Sequence, residues 1–381
     1  MYTISKKADK RIEDDINKIK GIIAKRLNPV SIILFGSFGK GEGSFLIEDD
    51  KVRPLNDYDF YVITKNKIKN EILEAVGLEC AKAIGCSGLE FAEHPNAEYD
   101  YRKFFHVDIR AIEYDKLRKL KPTQRTFELK HSMIVYGGDV RALIPDVQIS
   151  ASDAIRLLFN KMHQLLLSKD NSKEIKAIHV YKTFLDCCSA LLIIENRFAS
   201  NYRERERIFS DMDFPGELKG YVKLATKWKL RADFDKGCKN LDKLWDKARA
   251  WLGYSFIYVV NKYLSTNLKE NEWPEVADVL YSQLPGVYFK PYLKYFNFAF
   301  LQYYLNIRFF LTGLEKKRFL IRPLLSWKDA GLKLAIALML YLYGEEDKSL
   351  KHLNKIVKVN NKELKQKLLE LYGLYYSQKL I

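Results

Sequence analysis

Cysteine is scarce in this chain, and its placement excludes two common roles. The five cysteines (Cys80, Cys86, Cys187, Cys188 and Cys238) form no Cys-x-x-Cys pair and no spacing that assembles a zinc site. Cys187 and Cys188 fall in the apolar run FLDCCSALLII, where small thiols pack as core residues. The opening residues, MYTISKKADKRIEDDINK, have no apolar stretch of the kind a signal peptide needs. Long membrane-crossing runs are missing as well. LKLAIALMLYLYG is too short, and YFNFAFLQYYLNIRFFL is interrupted by Asn297, Gln302, Asn306 and Arg308. Both read as buried helices, so the expectation is a soluble, cytoplasmic protein with no membrane partner. No convincing internal repeat runs along the chain.

What is present is apolar, aromatic and basic. Hydrophobic residues make up 48% of the chain, which places it with folded globular proteins rather than disordered ones. At 381 residues it is long enough for two or three domains, each with its own core. The net charge of +16 is unevenly spread. Residues 1–150 hold 25 Lys+Arg against 23 Asp+Glu, and the remainder carries +14 of the total. Such asymmetry suits a second part that faces something acidic, such as nucleic acid or nucleotide phosphates, although a merely solvated surface has the same composition.

The first part alternates between helix-like and strand-like pieces. Ile12, Ile16, Ile19, Ile22 and Ile23 recur at helical spacing, and Asn28-Pro29 ends that helix. VSIILFG, DYDFYVIT, KFFHVDIRAI and SMIVYGG read as strands, and Glu71 to Ile84 as a helix. From SASDAIRLLFNKMHQLLL onward nearly everything reads as helix, with Ser150, Ser152 or Asp153 as the first cap and STNLKENEWPE as the main connection.

The chemistry gathers around ILFGSFGKGEGSF, where a buried strand stops in glycine. A turn without side chains at a strand end can aim backbone N–H groups outward as an anion cradle, with the Ser37 hydroxyl as a further donor. Lys40 is placed to give positive charge to a triphosphate. Asp57 and Asp59, two apart on a strand, project from one face. Carboxylates held that close repel, and a divalent cation such as Mg²⁺ or Mn²⁺ relieves the repulsion with oxygen-only ligands. Asp108, in the apolar strand FHVDIRAI, is costly to bury without a metal or partner. His106 and Arg110 share its face; Arg110 either contacts a phosphate or braces an acidic ligand, and His106 reads as a strand-edge residue.

GSFGKGE, then DYDFYVI, then HVDIR resembles the signature of the DNA polymerase β-type nucleotidyltransferase superfamily, in its minimal and antibiotic-type form. The resemblance covers roughly residues 20–145. It implies an α+β chain in which an N-terminal nucleotidyltransferase domain, a small mixed sheet with helices, precedes a large all-helical region. The expected boundaries are 1–148 for the catalytic domain, 149–268 for a helical domain completing the cleft, and 269–381 for a C-terminal helical domain. It also implies that Gly36 and Ser37 hold nucleotide phosphates, that Asp57 and Asp59 are metal ligands, and that Asp108 is the third ligand and the base for an acceptor hydroxyl. One departure stands out: 21 positions separate Gly36 from Asp57, against about a dozen in compact members. The extra material, FLIEDDKVRPL, reads as a hairpin or flap.

Other features have a bland reading beside the functional one. Arg156, Asn160 and Lys161, then Lys176, Lys182 and Asp186, form polar edges that either read a base or acceptor or are simply solvated. Lys348, Lys351, Lys355, Lys358, Lys362 and Lys365 would make one stripe for a phosphate backbone if Val359–Asn361 did not break the helix. The aromatics of GVYFKPYLKYFNFAFLQYYL stack bases or pack a core. The expected activity is Mg²⁺- or Mn²⁺-dependent transfer of a nucleoside monophosphate from an NTP to an acceptor hydroxyl. RNA or a second nucleotide is the favoured acceptor partner. The alternatives are a nucleotide- or RNA-binding module without chemistry, and a protein-interaction partner of toxin–antitoxin type.

Overall fold

The isoleucine spacing does set a helix. In the computed structural model, which describes residues 1–48, 51–55, 57–89, 104–289, 330–355 and 359–377, α1 runs Lys6–Leu27 and buries Ile12, Ile16, Ile19 and Ile23. The Ser5 side chain caps its start by accepting from Ala8 N, and Asn28 ends it in the left-handed region with φ 42°. Each fully buried isoleucine contributes roughly 1.5–3 kcal/mol.

The strands follow as β1 (Ser31–Leu34), β2 (Phe45–Glu48), β3 (Lys51–Pro54), β4 (Tyr58–Thr64), β5 (Val107–Glu113) and β6 (Met133–Gly137). Helix α2 (Asn70–Ala83) lies between β4 and β5, and α3 (Gln124–Lys130) precedes β6. Four strands form one mixed sheet in the order β5-β4-β1-β6. β1 is antiparallel to both β4 and β6, whereas β4 and β5 are parallel. Among the described residues β2 and β3 pair only with each other, so the inserted FLIEDDKVRPL stretch is a hairpin.

The period of two divides the sheet's side chains between two cores. Ile32, Leu34, Phe60 and Val62 pack with the α1 isoleucines and with Leu73, Val76 and Cys80 of α2. Ile33, Tyr61 and Ile63 point the other way, onto Leu117, Leu129, Val140 and Ile144. Asp57 and Asp59 share the parity of Tyr61, and so belong to the face away from α1 and α2. Tyr58 takes the α1 side, where its hydroxyl donates to Asp15 Oδ2 at 3.1 Å.

Helices make up the rest: α4 (Ala151–Ser168), α5 (Lys173–Ile194), α6 (Tyr202–Ser210), α7 (Gly216–Leu230), the short α8 (Phe234–Gly237), α9 (Leu241–Leu264) and α10 (Trp273–Phe289). Further helices span Ala330–Leu342, Glu346–Leu353 and Leu364–Ser377. The chain is thus α+β, a small mixed sheet followed by a large helical region. Two compact units result. The first holds Met1–Asp153 and Asn171–Leu244, so α5 to α8 belong with the sheet; the second holds Ala154–Asp170 and Trp245 onward. Within the second unit, Trp245 Nε1 donates to Leu165 O at 3.0 Å, and the Trp273 and Tyr343 rings stack at 3.7 Å.

Several sequence expectations meet their outcome here. LKLAIALMLYLYG contributes the helix Ala330–Leu342, buried from Leu334 to Leu340. YFNFAFLQYYLNIRFFL and Lys358 lie outside the described residues. The lysine stripe is not continuous: one helix stops at Leu353, Asn354 Oδ1 accepts from Val359 N at 2.8 Å, and Asn360 caps a new turn. Among the described helices, α5 alone has the length and hydropathy to cross a membrane, and 78% of its apolar window is buried inside the protein. Cys187 and Cys188 sit on that helix, fully packed. Replacing Ile19, which is wholly buried between α1 and the sheet, by Ala should cost about 2–5 kcal/mol. Urea unfolding followed by circular dichroism checks this, with an unchanged slope and a lower midpoint as the expected result.

Candidate active site

β1 delivers the chain to the site. Phe35 N donates to Asp59 O at 2.8 Å, carrying the β1–β4 pairing one residue past the strand. Gly36 then turns into the left-handed region with φ 69°. A Cβ there would stand 2.8 Å from Asp59 Oδ2, so the glycine backbone lies directly over that carboxylate. Gly39 is required for another reason, since its Cβ would fall 1.9 Å from the Leu34 carbonyl oxygen. A 3-10 turn over Phe38–Lys40 follows, and the Ser37 carbonyl accepts from Lys40 N and Glu42 N. The Ser37 hydroxyl meets no partner among the described residues.

The sheet register brings the acids together. Asp59 on β4 lies directly opposite Asp108 on the parallel strand β5, and Asp57 precedes β4 by one residue. Two of the three have basic neighbours. Arg110 donates to Asp108 Oδ2 through Nε at 2.9 Å and Nη2 at 2.5 Å. The His106 ring nitrogen Nδ1 stands 3.3 Å from Asp57 Oδ1. Asp59 has no hydrogen-bond or ion-pair partner among the described residues. Burial first, then the charges of Asp108 and Asp57, push its pKa up to about 6, against the pull of Arg110 and His106. Burial also raises Asp57, with His106 and then Lys182 of α5 opposing, although its side chain keeps 42% of its surface exposed. Arg110 is held further into its charged form despite burial, chiefly by Asp108.

Chemically this donor set fits a hard divalent cation. It offers oxygen ligands only, and the bare Asp59 carboxylate, between two others, is relieved either by a proton or by a metal. Yet no three His, Cys, Asp or Glu side chains among the described residues stand close enough to hold a metal ion as they are. Arg110 and His106 each engage one oxygen of a flanking acid, and so compete with such an ion for Asp108 and Asp57.

Lys40 takes a different place from the one its spacing suggested. Its side chain is 5% exposed, and Nζ lies 2.9 Å from Glu128 Oε2 on α3, rather than reaching out to a triphosphate. The other oxygen of Glu128 accepts from Arg205 Nη2 on α6 at 2.6 Å. Arg205 also donates to Ser189 Oγ, Ala199 O and Ser200 O, and it stacks on Phe198. Glu42, fully buried, accepts from the backbone N–H groups of Tyr202 and Arg203 at the start of α6, where a negative charge also favours the helix dipole. Lys229 of α7 donates to Ser44 Oγ at 2.8 Å. Burial and then Lys182 push its ammonium pKa well below the ordinary lysine value.

Sequence reasoning missed Glu128, Arg205 and Lys229, and left Glu42 without a role. Nothing in the spacing marks the first three, because each meets its partner through the fold. Of the polar helix edges, Lys176 is paired with Asp242 at 2.7 Å, and Asn160 accepts from the Tyr372 hydroxyl within the second unit. Lys182 stands close enough to influence Asp57 and Lys229.

No protein-family model matches the chain, and no curated protein does. Among solved structures, the chain is similar to a crystal structure of spectinomycin adenyltransferase AAD(9) from Enterococcus faecialis with ATP and spectinomycin. The identity is 16% and the TM-score 0.39, over 63% of this chain and 98% of that one.

Removing Glu128 would strand two buried cations, so Glu128→Ala should lower stability by about 3–5 kcal/mol. Burial alone would raise the Glu128 pKa; Lys40 and Arg205 overturn this and hold it below its ordinary value. A carboxyl that titrates lower in the fold than in the unfolded chain gives stability that is complete above the ordinary carboxylate range. That stability is lost as pH falls through the folded value. Urea midpoints from about pH 7 down to about pH 3 should therefore fall more steeply in the wild type than in Glu128→Gln.

Proposed function

We propose that the first unit is the catalytic domain of a nucleotidyltransferase, which moves a nucleoside monophosphate from an NTP to an acceptor hydroxyl and releases pyrophosphate. The observation that carries this reading is the bare Asp59 carboxylate, set between Asp57 and Asp108 beneath the Gly36 turn. Gly36 and Ser37 bind phosphate oxygens through their backbone N–H groups and the Ser37 hydroxyl. Asp57, Asp59 and Asp108 would hold Mg²⁺ or Mn²⁺, which supplies charge neutralisation and alignment at the α-phosphate when bound. Arg110 fixes the Asp108 carboxylate through Oδ2, and the other oxygen takes the proton of the acceptor hydroxyl as it attacks. The acceptor oxygen bonds to the α-phosphorus, and the bond to pyrophosphate breaks on the Ser37 side. With Lys40 committed to Glu128, Lys182 of α5, whose charge reaches Asp57, is the lysine that adds positive charge near the carboxylates. RNA or a second nucleotide is the acceptor class that best suits the +14 of residues 151–381.

A second reading, a nucleotide- or RNA-binding module without chemistry, is favoured by the basic side chains of Arg110 and His106 already seated on Asp108 and Asp57. One assay separates the two. Label from each α-labelled NTP, with Mg²⁺ or Mn²⁺, should enter one of the RNA, protein or small-molecule fractions, and the Asp57→Ala/Asp59→Ala variant should abolish it. Asp108→Asn should slow transfer by about 10²–10⁴-fold while NTP binding persists. NTP binding with no labelled product in any fraction would establish the binding module instead.

A further inference from the structure

We infer that the first unit carries a second anion site, separate from the carboxylates, that takes the phosphate tail of a nucleotide-sized ligand. A cavity of about 440 Å³ opens where the start of α5 meets the start of α9. Lys173 and Lys176 line it from α5, Cys238 and Asn240 from the turn before α9, and Asp242 and Lys243 from α9 itself. None of these residues belongs to the site beneath Gly36. Its volume is in the range of small-ligand sites, about 300–1,000 Å³.

The charge of the lining selects the ligand. Asp242 is the one carboxylate among the lining residues, and Lys176 Nζ holds its Oδ1 at 2.7 Å. Lys173 and Lys243 make no direct ion pair among the described residues, although the charge of Lys173 also reaches Asp242, so the wall keeps two ammonium groups that can turn to a ligand. Lysines on an ordinary solvated face spread apart to reduce their repulsion. Here two helices bring three of them to one concavity, where they outnumber the single lining carboxylate and concentrate anionic counter-ions. Apart from Leu241 and the Cys238 thiol the lining side chains are polar or charged, which leaves room for a charged group at the lysines. Ammonium groups act as point charges for phosphate oxygens, and two of them match a polyphosphate better than a single carboxylate. The site needs no divalent cation, which distinguishes it from the carboxylate site in any binding experiment.

Cys238 provides the readout, because it is a half-exposed free thiol inside the cavity, whereas Cys86 is half-exposed elsewhere in the same unit. Alkylation of both is followed by peptide mass spectrometry on the full chain, in EDTA, with inorganic tripolyphosphate as the probe. Tripolyphosphate should slow Cys238 several-fold in a saturable way and leave Cys86 unchanged. ATP should protect equally, and adenosine not at all. Lys173→Ala/Lys243→Ala, which alters only exposed residues, should lose the protection. Asp57→Ala/Asp59→Ala should keep it, so this inference and the catalytic reading stand or fall separately. Wild-type protein whose Cys238 is not protected, or is protected only in step with Cys86, overturns the proposal. So does protection that survives in the double lysine variant.

Discussion

The buried triad of Lys40, Glu128 and Arg205 is the constraint on which the candidate site depends. One glutamate bridges two basic side chains, so the contact joins three separate segments: the turn after β1, α3 and α6. Buried charges are tolerable only when paired and hydrogen-bonded, and Glu128 pairs with both Lys40 and Arg205 only when the three segments meet in this arrangement. Glu42 and Ser44 add ties to α6 and α7 within the next few residues. A glycine-rich turn would otherwise be the loosest part of the unit. Here its downstream end is held by charge, and its upstream end by the β1–β4 ladder.

Against that fixed turn, the sheet sets like charges side by side. The backbone register, not mutual attraction, sets Asp59 opposite Asp108, and the apolar residues on the other face of β4 and β5 supply the energy that keeps it so. Arg110 and His106 soften the repulsion at its edges and leave its centre uncompensated. The sheet thus holds, built in advance, a polar arrangement with an unmet demand for positive charge.

The fold was largely legible because α1 and the strands announce themselves by period. Isoleucines at 12, 16, 19 and 23 admit only a helix, and the alternation across Phe60 to Ile63 admits only a strand. The pairing of Asp57 with Asp59 followed from the same period. What stayed hidden was long-range charge matching. Glu128 and Arg205 meet across 77 residues of sequence, and neither looks unusual where it stands. Lys40 misled for the same reason: a lysine beside a glycine turn has two plausible partners, and only the fold shows that the nearer one is a glutamate. The lysine stripe failed differently, because identical spacing on either side of Asn354 belongs to two helices rather than one.

The hairpin of β2 and β3 closes on itself. Phe45 pairs with Pro54, and Leu55 N donates to Ser44 O at 2.9 Å, so the chain returns to the place it left. Counted along the chain, the glycine turn and the acids are far apart; measured through space, the whole insertion amounts to a single closed bond. The hairpin is therefore a closed excursion of the chain, anchored at its base by the buried Phe45 and by Ser44 on Lys229. A pattern search that fixes the interval between turn and acids would pass over this chain, whereas one that treats the interval as free would not.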